Sequence, residues 1–120
     1  MPKVTHFEIL GKDAKKAREF YSGLFGWTID ANNPMEYGIV SPTENGIGGG
    51  IAPVQQGGSA MVTIYVEVDS IQPYLDKAAS LGGKVVLERT VLPGMVTFAQ
   101  FQDPDGNIIG LAETGVPPAQ

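Results

Sequence analysis

The run VTHFEIL at residues 4–10 decides the fold, because a run of the same kind, VTIYVEV, occurs at residues 62–68. Both runs alternate in the way that is typical of a half-buried β-strand, in which successive side chains point to opposite faces. The two runs therefore predict equivalent first strands in two halves of the chain. The side chains expected on the face away from the helices are His6, Glu8, Thr63, Tyr65 and Glu67.

Each of these strands is followed by residues that start, fill and end an amphipathic helix. A side-chain oxygen at the start can accept the first backbone N–H groups, and glycine favours the left-handed conformation that ends a helix. Sliding one half over the other by 57 residues brings the two patterns into register. The expected helices are 13–24, with Asp13 as cap and Gly26 as stop, and 70–81, with Asp69 or Ser70 as cap and Gly82-Gly83 as stop.

Three further strands follow each helix, separated by stretches with the composition of turns, such as DANNP at residues 30–34. The pattern predicts an α+β fold made of two tandem β-α-β-β-β units with curved mixed sheets. The units span about 3–55 and 61–114 of a single domain, 1–120. The remaining strands are expected at 27–29, 36–41 and 48–54 in the first unit, and at 84–91, 96–102 and 108–113 in the second.

Composition excludes several classes of function. Eight Lys and Arg are spread along a chain of net charge −5, which argues against nucleic-acid binding. The sequence has no cysteine, so disulfides, thiolate nucleophiles and thiolate zinc sites are excluded. It also has no run of about 20 apolar residues, so no membrane span is expected. We expect a cytoplasmic protein.

Several runs, taken together and in this order, resemble the vicinal oxygen chelate superfamily, which includes glyoxalases, bleomycin-resistance proteins and dioxygenases. The resemblance covers nearly the whole chain. In this superfamily each unit curls its sheet around a concave face that holds the site, so the resemblance implies the same fold here. The runs are HFEI (6–9), REFY (18–21), LFGW (24–27), GGG (48–50), YVEVD (65–69) and DPDGNIIGL (103–111).

The resemblance also implies where a metal would bind, since the family's ligands come from the first and last strands of each unit. Carried over residue by residue, these four positions fall on His6, on Thr63, on Gly110, and on either Gly49 or Gly50. Glycine has no side chain to bind a divalent ion, and a lone threonine hydroxyl is a poor ligand for zinc, iron or nickel. We therefore expect neither a metal nor another cofactor. The alternative is a metal-dependent lyase (lactoylglutathione-lyase-like) or dioxygenase that uses His6 and carboxylates.

The expected ligand is a small organic molecule, because a few polar groups on an apolar concave face are typical of small-molecule sites. The glycines at 48–50 and 110 either enlarge this cavity or let strands approach closely. Each polar residue also has a purely structural interpretation, as a hydrogen-bonded strand residue, a solvated carboxylate or a wall. No catalytic residue is assigned, and a symmetric homodimer is expected to cover exposed sheet edges. The predicted ligand-binding residues are His6, Glu8, Thr63, Tyr65, Glu67, Phe98 and Gln100.

Overall fold

A computed structural model describes residues 2–119 of the chain. Their contacts divide them into two compact units. We call His6–Thr63 the N-terminal unit, and residues 2–5 together with 64–119 the C-terminal unit. The strand over residues 3–11 is described with the N-terminal unit and the strand over residues 61–68 with the C-terminal unit, which contain most of their residues. None of the helices within residues 2–119 is long and apolar enough to cross a membrane.

The N-terminal unit has the predicted order of strand, helix and three strands. Its sheet runs in the order β2-β3-β4-β1, with β4 parallel to β1 and the other neighbours antiparallel. Val40, Ile51 and Ala52 are buried on this sheet. The elements are β1 (Lys3–Gly11), α1 (Ala14–Phe25), β2 (Ile29–Asp30), β3 (Gly38–Val40) and β4 (Gly48–Pro53).

The C-terminal unit repeats this plan with longer second and third strands. Its sheet runs in the order β5-β8-β7-β6, again with the first and last strands of the unit parallel. The core is a cluster of buried apolar side chains between α2 and the sheet, made of Val68, Ile71, Leu75, Ala99 and Leu111. The elements are β5 (Met61–Val68), α2 (Ile71–Ser80), β6 (Lys84–Leu92), β7 (Val96–Gln102) and β8 (Ile108–Glu113). The α+β fold of two β-α-β-β-β units is thus confirmed.

The ends of α1 match the prediction. Asp13 accepts a hydrogen bond from the backbone N–H of Lys16 at 3.0 Å, which satisfies one of the unpaired donors of the first turn. Gly26 adopts φ = 72°, and its N–H donates to the carbonyl of Ser22 at 2.8 Å. This left-handed conformation suits glycine, because it has no Cβ to clash with the backbone.

The start of α2 differs from the prediction. Ser70 occupies the cap position, but its side chain makes no capping hydrogen bond. The N–H of Ile71 instead donates to Oε2 of Glu113 on β8, at 3.0 Å. A carboxylate distant in sequence therefore caps this helix, and local sequence patterns could not identify it.

Two predicted strands of the N-terminal unit are shorter than expected. The strand predicted at 27–29 is observed at Ile29–Asp30. Trp27 lies outside it, and its ring packs among the aromatic side chains of Phe7, Tyr21 and Phe25. The strand predicted at 36–41 is Gly38–Val40. Glu36 adopts φ = 51°, a left-handed conformation that cannot continue a strand.

Candidate functional site

Parallel pairing in the two units settles which glycines are equivalent. In the N-terminal unit Glu8 of β1 lies opposite Gly50 of β4. In the C-terminal unit Tyr65 of β5 lies opposite Gly110 of β8. Glu8 and Tyr65 are equivalent by the 57-residue repeat, so the equivalent of Gly110 is Gly50 and not Gly49.

Both of these glycines lie directly beneath a tyrosine ring. A Cβ atom built on Gly50 would overlap the ring and hydroxyl of Tyr37, and one built on Gly110 would overlap the ring of Tyr65. The expectation that these glycines enlarge a cavity is therefore wrong at both positions, because aromatic rings fill the space. The glycines allow a flat ring to lie against the strand, as glycine does wherever a close approach to the backbone is needed.

Gly49 has the same role on the other face of β4. A Cβ atom there would overlap the ring of Phe7, which lies on the neighbouring strand β1. The triple-glycine run thus accommodates aromatic rings on both faces of one strand. At Gly48 a Cβ atom would instead lie 3.1 Å from the carbonyl oxygen of Val40 on the neighbouring strand β3.

In the N-terminal unit, Tyr37 joins the two predicted site residues of β1. Its hydroxyl donates to Oε2 of Glu8 at 2.9 Å and lies 2.8 Å from Nε2 of His6. All three side chains are half-buried. Because the phenol has one proton and gives it to Glu8, its oxygen accepts at His6, which requires a proton on Nε2. The three groups form a hydrogen-bonded chain that links an imidazole to a carboxylate through a phenol.

Burial sets the charge of the imidazole. It lowers the pKa of His6 below the ordinary value, because desolvation disfavours the charged form. A neutral histidine at pH 7 is consistent with a single proton on Nε2. The hydroxyl of Tyr37 lies 2.8 Å from its Nε2.

Sequence reasoning missed Tyr37, although it is the residue that connects His6 with Glu8. Its backbone is held by the side chain of Asn33, which accepts from its N–H at 2.9 Å and donates to its carbonyl at 2.8 Å. Gly50 could have indicated it, because a glycine on a strand beside a site leaves room for an aromatic ring from a neighbouring segment.

The C-terminal unit brings together three of its four predicted site residues. Nε2 of Gln100 donates to the hydroxyl of Tyr65 at 3.0 Å, and the rings of Tyr65 and Phe98 lie 6.4 Å apart between centroids. Tyr65 is buried, with 7% of its surface exposed. Glu67 is half-buried and points to the same face, two residues further along β5.

Thr63 is one of two polar residues that are buried within residues 2–119, with 4% of its surface exposed. Its hydroxyl is therefore withdrawn from solvent. A buried threonine has little surface to offer a ligand, so the structural interpretation of this residue gains weight over the ligand-binding one.

The donor atoms do not suit a divalent metal ion of the kind the fold family uses. Two of the four carried-over positions are Gly50 and Gly110, and a tyrosine ring covers each. Among residues 2–119, no three His, Asp or Glu side chains gather closely enough to hold a metal ion. Three protein ligands are the usual minimum for such a site.

A family model supplies the identification. The model of the Glyoxalase/Bleomycin resistance protein/Dioxygenase superfamily matches residues 3–111, nearly the whole chain. The chain belongs to this superfamily. The earlier resemblance is thereby confirmed, and so are the two β-α-β-β-β units that go with it.

Curated relatives in the superfamily carry glyoxylase names. "Putative glyoxylase CFP32" of Mycobacterium tuberculosis is 33% identical over 106 residues, which cover 82% of this chain. Those residues are only 41% of that protein, so this chain spans less than half of its length. A "Glyoxylase-like domain-containing protein" of Didymella fabae is 26% identical, and the match covers 88% of both chains.

Solved structures of the superfamily share the fold. A superfamily member from Vibrio splendidus has a TM-score of 0.62 at 18% identity, over 94% of this chain and 98% of that one. Methylmalonyl-CoA epimerase from Mycobacterium tuberculosis has a TM-score of 0.67 at 15% identity, over 98% of this chain and 88% of that one. At such low identity, these similarities establish architecture alone.

A glycine-to-alanine substitution tests the close packing of ring and strand. Gly110→Ala is expected to lower the free energy of unfolding by about 1–3 kcal/mol, because the added methyl displaces the ring of Tyr65. The matched control is Gly23→Ala in α1, where a Cβ meets nothing within 4 Å. That change should raise stability by about 0.5–1 kcal/mol. Urea denaturation measures both.

A double-mutant cycle shows whether the ring is the cause. In a Tyr65→Ala background, Gly110→Ala should cost much less than in the wild type, since the two positions are in contact. If the cost of Gly110→Ala were the same in both backgrounds, the proposed overlap with Tyr65 would be wrong.

Proposed function

We propose that this chain binds or transforms a small organic molecule without a bound metal ion, through the polar face that carries His6 and Glu8. The observation that carries the proposal is the tyrosine ring over two of the four family ligand positions, Gly50 and Gly110. Where other members would place a ligand side chain, this chain has an aromatic ring. A phenol and an amide offer hydrogen bonds to an organic molecule but bind a divalent ion weakly.

The polar groups that each unit by itself offers to such a molecule are few and lie next to aromatic rings. In the N-terminal unit they are the imidazole of His6, the hydroxyl of Tyr37 and the carboxylate of Glu8. In the C-terminal unit the amide of Gln100 and the hydroxyl of Tyr65 lie beside the ring of Phe98. A few oriented polar groups on an apolar lining are typical of small-molecule sites. Glu67 completes the proposed set, which leaves out Thr63 because its side chain is buried.

The competing function is the metal-dependent lyase, which the glyoxylase names of the relatives support. That activity would need His6 to act with carboxylates as a ligand set. Glu8 is the nearest candidate, but its Oε2 accepts from Tyr37. The two functions differ in whether activity depends on added metal, so one assay separates them.

The metal test is the direct experiment. Protein purified without chelator is expected to carry well under one equivalent of divalent ion by elemental analysis. Added zinc, nickel, manganese or iron should leave the melting temperature unchanged. A metal at a hundred times its dissociation constant would stabilise the fold by about 2.7 kcal/mol, which a melting curve of a 12.7 kDa domain would register.

Two variants and one assay complete the test. His6→Ala should leave the metal content unchanged. The same measurement is made on Tyr37→Phe, the matched variant, which removes only the hydroxyl beside His6. Lactoylglutathione lyase activity should be absent both with chelator and with added zinc or nickel. Stoichiometric metal that disappears in His6→Ala, or lyase activity that appears with metal, would overturn the proposal in favour of the metal-dependent function.

A further inference from the structure

A cavity lies on the other face of the C-terminal sheet and is lined by none of the predicted site residues. It has a volume of about 340 Å³, within the range of small-molecule pockets. Val66 lines it, whereas Tyr65 and Glu67 precede and follow Val66 on β5 and point to the opposite face. The cavity therefore opens on the helix side of the sheet. Prominent in its lining are Val66, Tyr74, Leu81, Phe101 and Leu111.

The lining is almost entirely apolar, and buried core residues form part of it. Leu111, which is 3% exposed, and Val68, which is 1% exposed, both belong to the core cluster and to the cavity wall. Leu81 at the end of α2 is 69% exposed beside it. Such a concave apolar surface favours an occupant with an apolar body, because burial of that body removes apolar area from water.

One cationic side chain lies in the lining. Lys77 of α2 is exposed and forms no ion pair within residues 2–119. The carboxylate in the lining, Asp103, is held by its own turn. It accepts from the backbone N–H groups of Asp105 and Asn107, each at 2.9 Å, and from Nδ2 of Asn107 at 2.8 Å. The ammonium of Lys77 is thus the charge available to an occupant.

We infer that this cavity, here called the outer pocket, binds a small monocarboxylic acid with an apolar body, whose carboxylate pairs with Lys77. The volume lies near the lower end of the range for small-molecule pockets, which suits an occupant with a short apolar chain. The inference goes beyond the proposed function, because it concerns different residues on the opposite face of the sheet. Failure of either proposal leaves the other intact.

Titration calorimetry with decanoate, below its micelle concentration, tests the inference. Saturable binding is expected with wild-type protein. Lys77→Glu should weaken it by about tenfold, since the substitution replaces a favourable charge pair with a repulsive one. Lys84→Glu is the matched control, because Lys84 is exposed in the same unit but does not line the pocket. It should change the affinity by less than about twofold.

Two further measurements distinguish the parts of the inference. Decanol has the same chain without the charge, so it should bind more weakly than decanoate and with an affinity that Lys77→Glu does not alter. Ala78→Phe fills the pocket and should abolish binding of both probes, with circular dichroism confirming that the variant is folded. Neutral phosphatidylcholine vesicles should not bind the protein, because the occupant is a free acid and not a lipid in a membrane.

Four results would overturn the inference. They are the absence of saturable decanoate binding, an equal loss in Lys77→Glu and Lys84→Glu, binding that survives in folded Ala78→Phe, and vesicle binding that is unaffected by Lys77→Glu.

Discussion

Replacement of Leu75 by alanine is expected to lower the free energy of unfolding by about 2–5 kcal/mol. Leu75 lies on α2 with no exposed surface, packed in the cluster that also contains Ile71 and Val68. The substitution removes buried methyl groups and leaves a cavity that the surrounding strands can close only in part. Because this cluster joins α2 to the C-terminal sheet, the loss should affect the cooperative unfolding of that unit.

Urea denaturation measures this loss, and the same helix offers a matched control. Leu81→Ala makes the identical chemical change at a side chain that is 69% exposed, and it should cost less than about 0.5 kcal/mol. Equal costs for the two variants would show that α2 does not pack on the sheet as described.

Glu113→Gln is expected to lower the free energy of unfolding by about 2–3 kcal/mol at pH 7. The carboxylate of Glu113 is 17% exposed and makes a bidentate pair with Arg89, at 2.8 Å from Nε and 2.9 Å from Nη2. It also accepts from the N–H of Ile71 at the start of α2. Glutamine keeps the shape of the side chain but loses the charge that strengthens all three hydrogen bonds.

The dependence of this effect on pH follows from the pKa of Glu113. The hydrogen bonds from Arg89 and then from Ile71 lower the pKa from 4.5 to about 2. A carboxyl group with a depressed pKa in the folded state binds protons more readily when unfolded. Its contribution is therefore complete above pH 4.5 and is lost as the pH falls towards 2.

Denaturant midpoints at pH 7 and pH 3 give the comparison. The difference between wild type and Glu113→Gln should shrink at pH 3, whereas Glu88→Gln on β6, where the glutamate is exposed, should cost little at either pH. Arg89→Gln should cost less than Glu113→Gln, because Glu113 can still cap α2 without the guanidinium. A difference that stays constant between pH 7 and pH 3 would contradict this account.

The sequence predicts the elements of this fold well, because their signals are local. Alternation predicts β1 and β5, and Asp13 and Gly26 mark the ends of α1 correctly. The cap of α2 could not be predicted, since Glu113 lies 42 residues beyond the N–H that it accepts from. The strand predicted at 36–41 was too long because the left-handed conformation of Glu36 leaves no signal in an apolar pattern.

The candidate site was predictable in part for the same reason. Strand parity placed His6 with Glu8, and it placed Tyr65 with Phe98 and Gln100. Tyr37 follows a turn, and two hydrogen bonds from the side chain of Asn33 hold its backbone. The alternation of apolar residues along the sequence gives no information about such contacts. The residue that completes the hydrogen-bonded chain was therefore outside the reach of pattern reasoning.

The tyrosine over each glycine also constrains how this site can change in evolution. A glutamate at Gly50 or Gly110 would restore a family ligand position, but in either unit it would collide with the ring already there. Removal of the tyrosine first would leave a bare strand and a void. Each of these substitutions alone lowers stability. The loss is avoided only when the tyrosine is removed and the glycine is replaced by glutamate together. The two positions in each unit are thus epistatic, which makes a glutamate at either glycine inaccessible by single neutral substitutions at these positions.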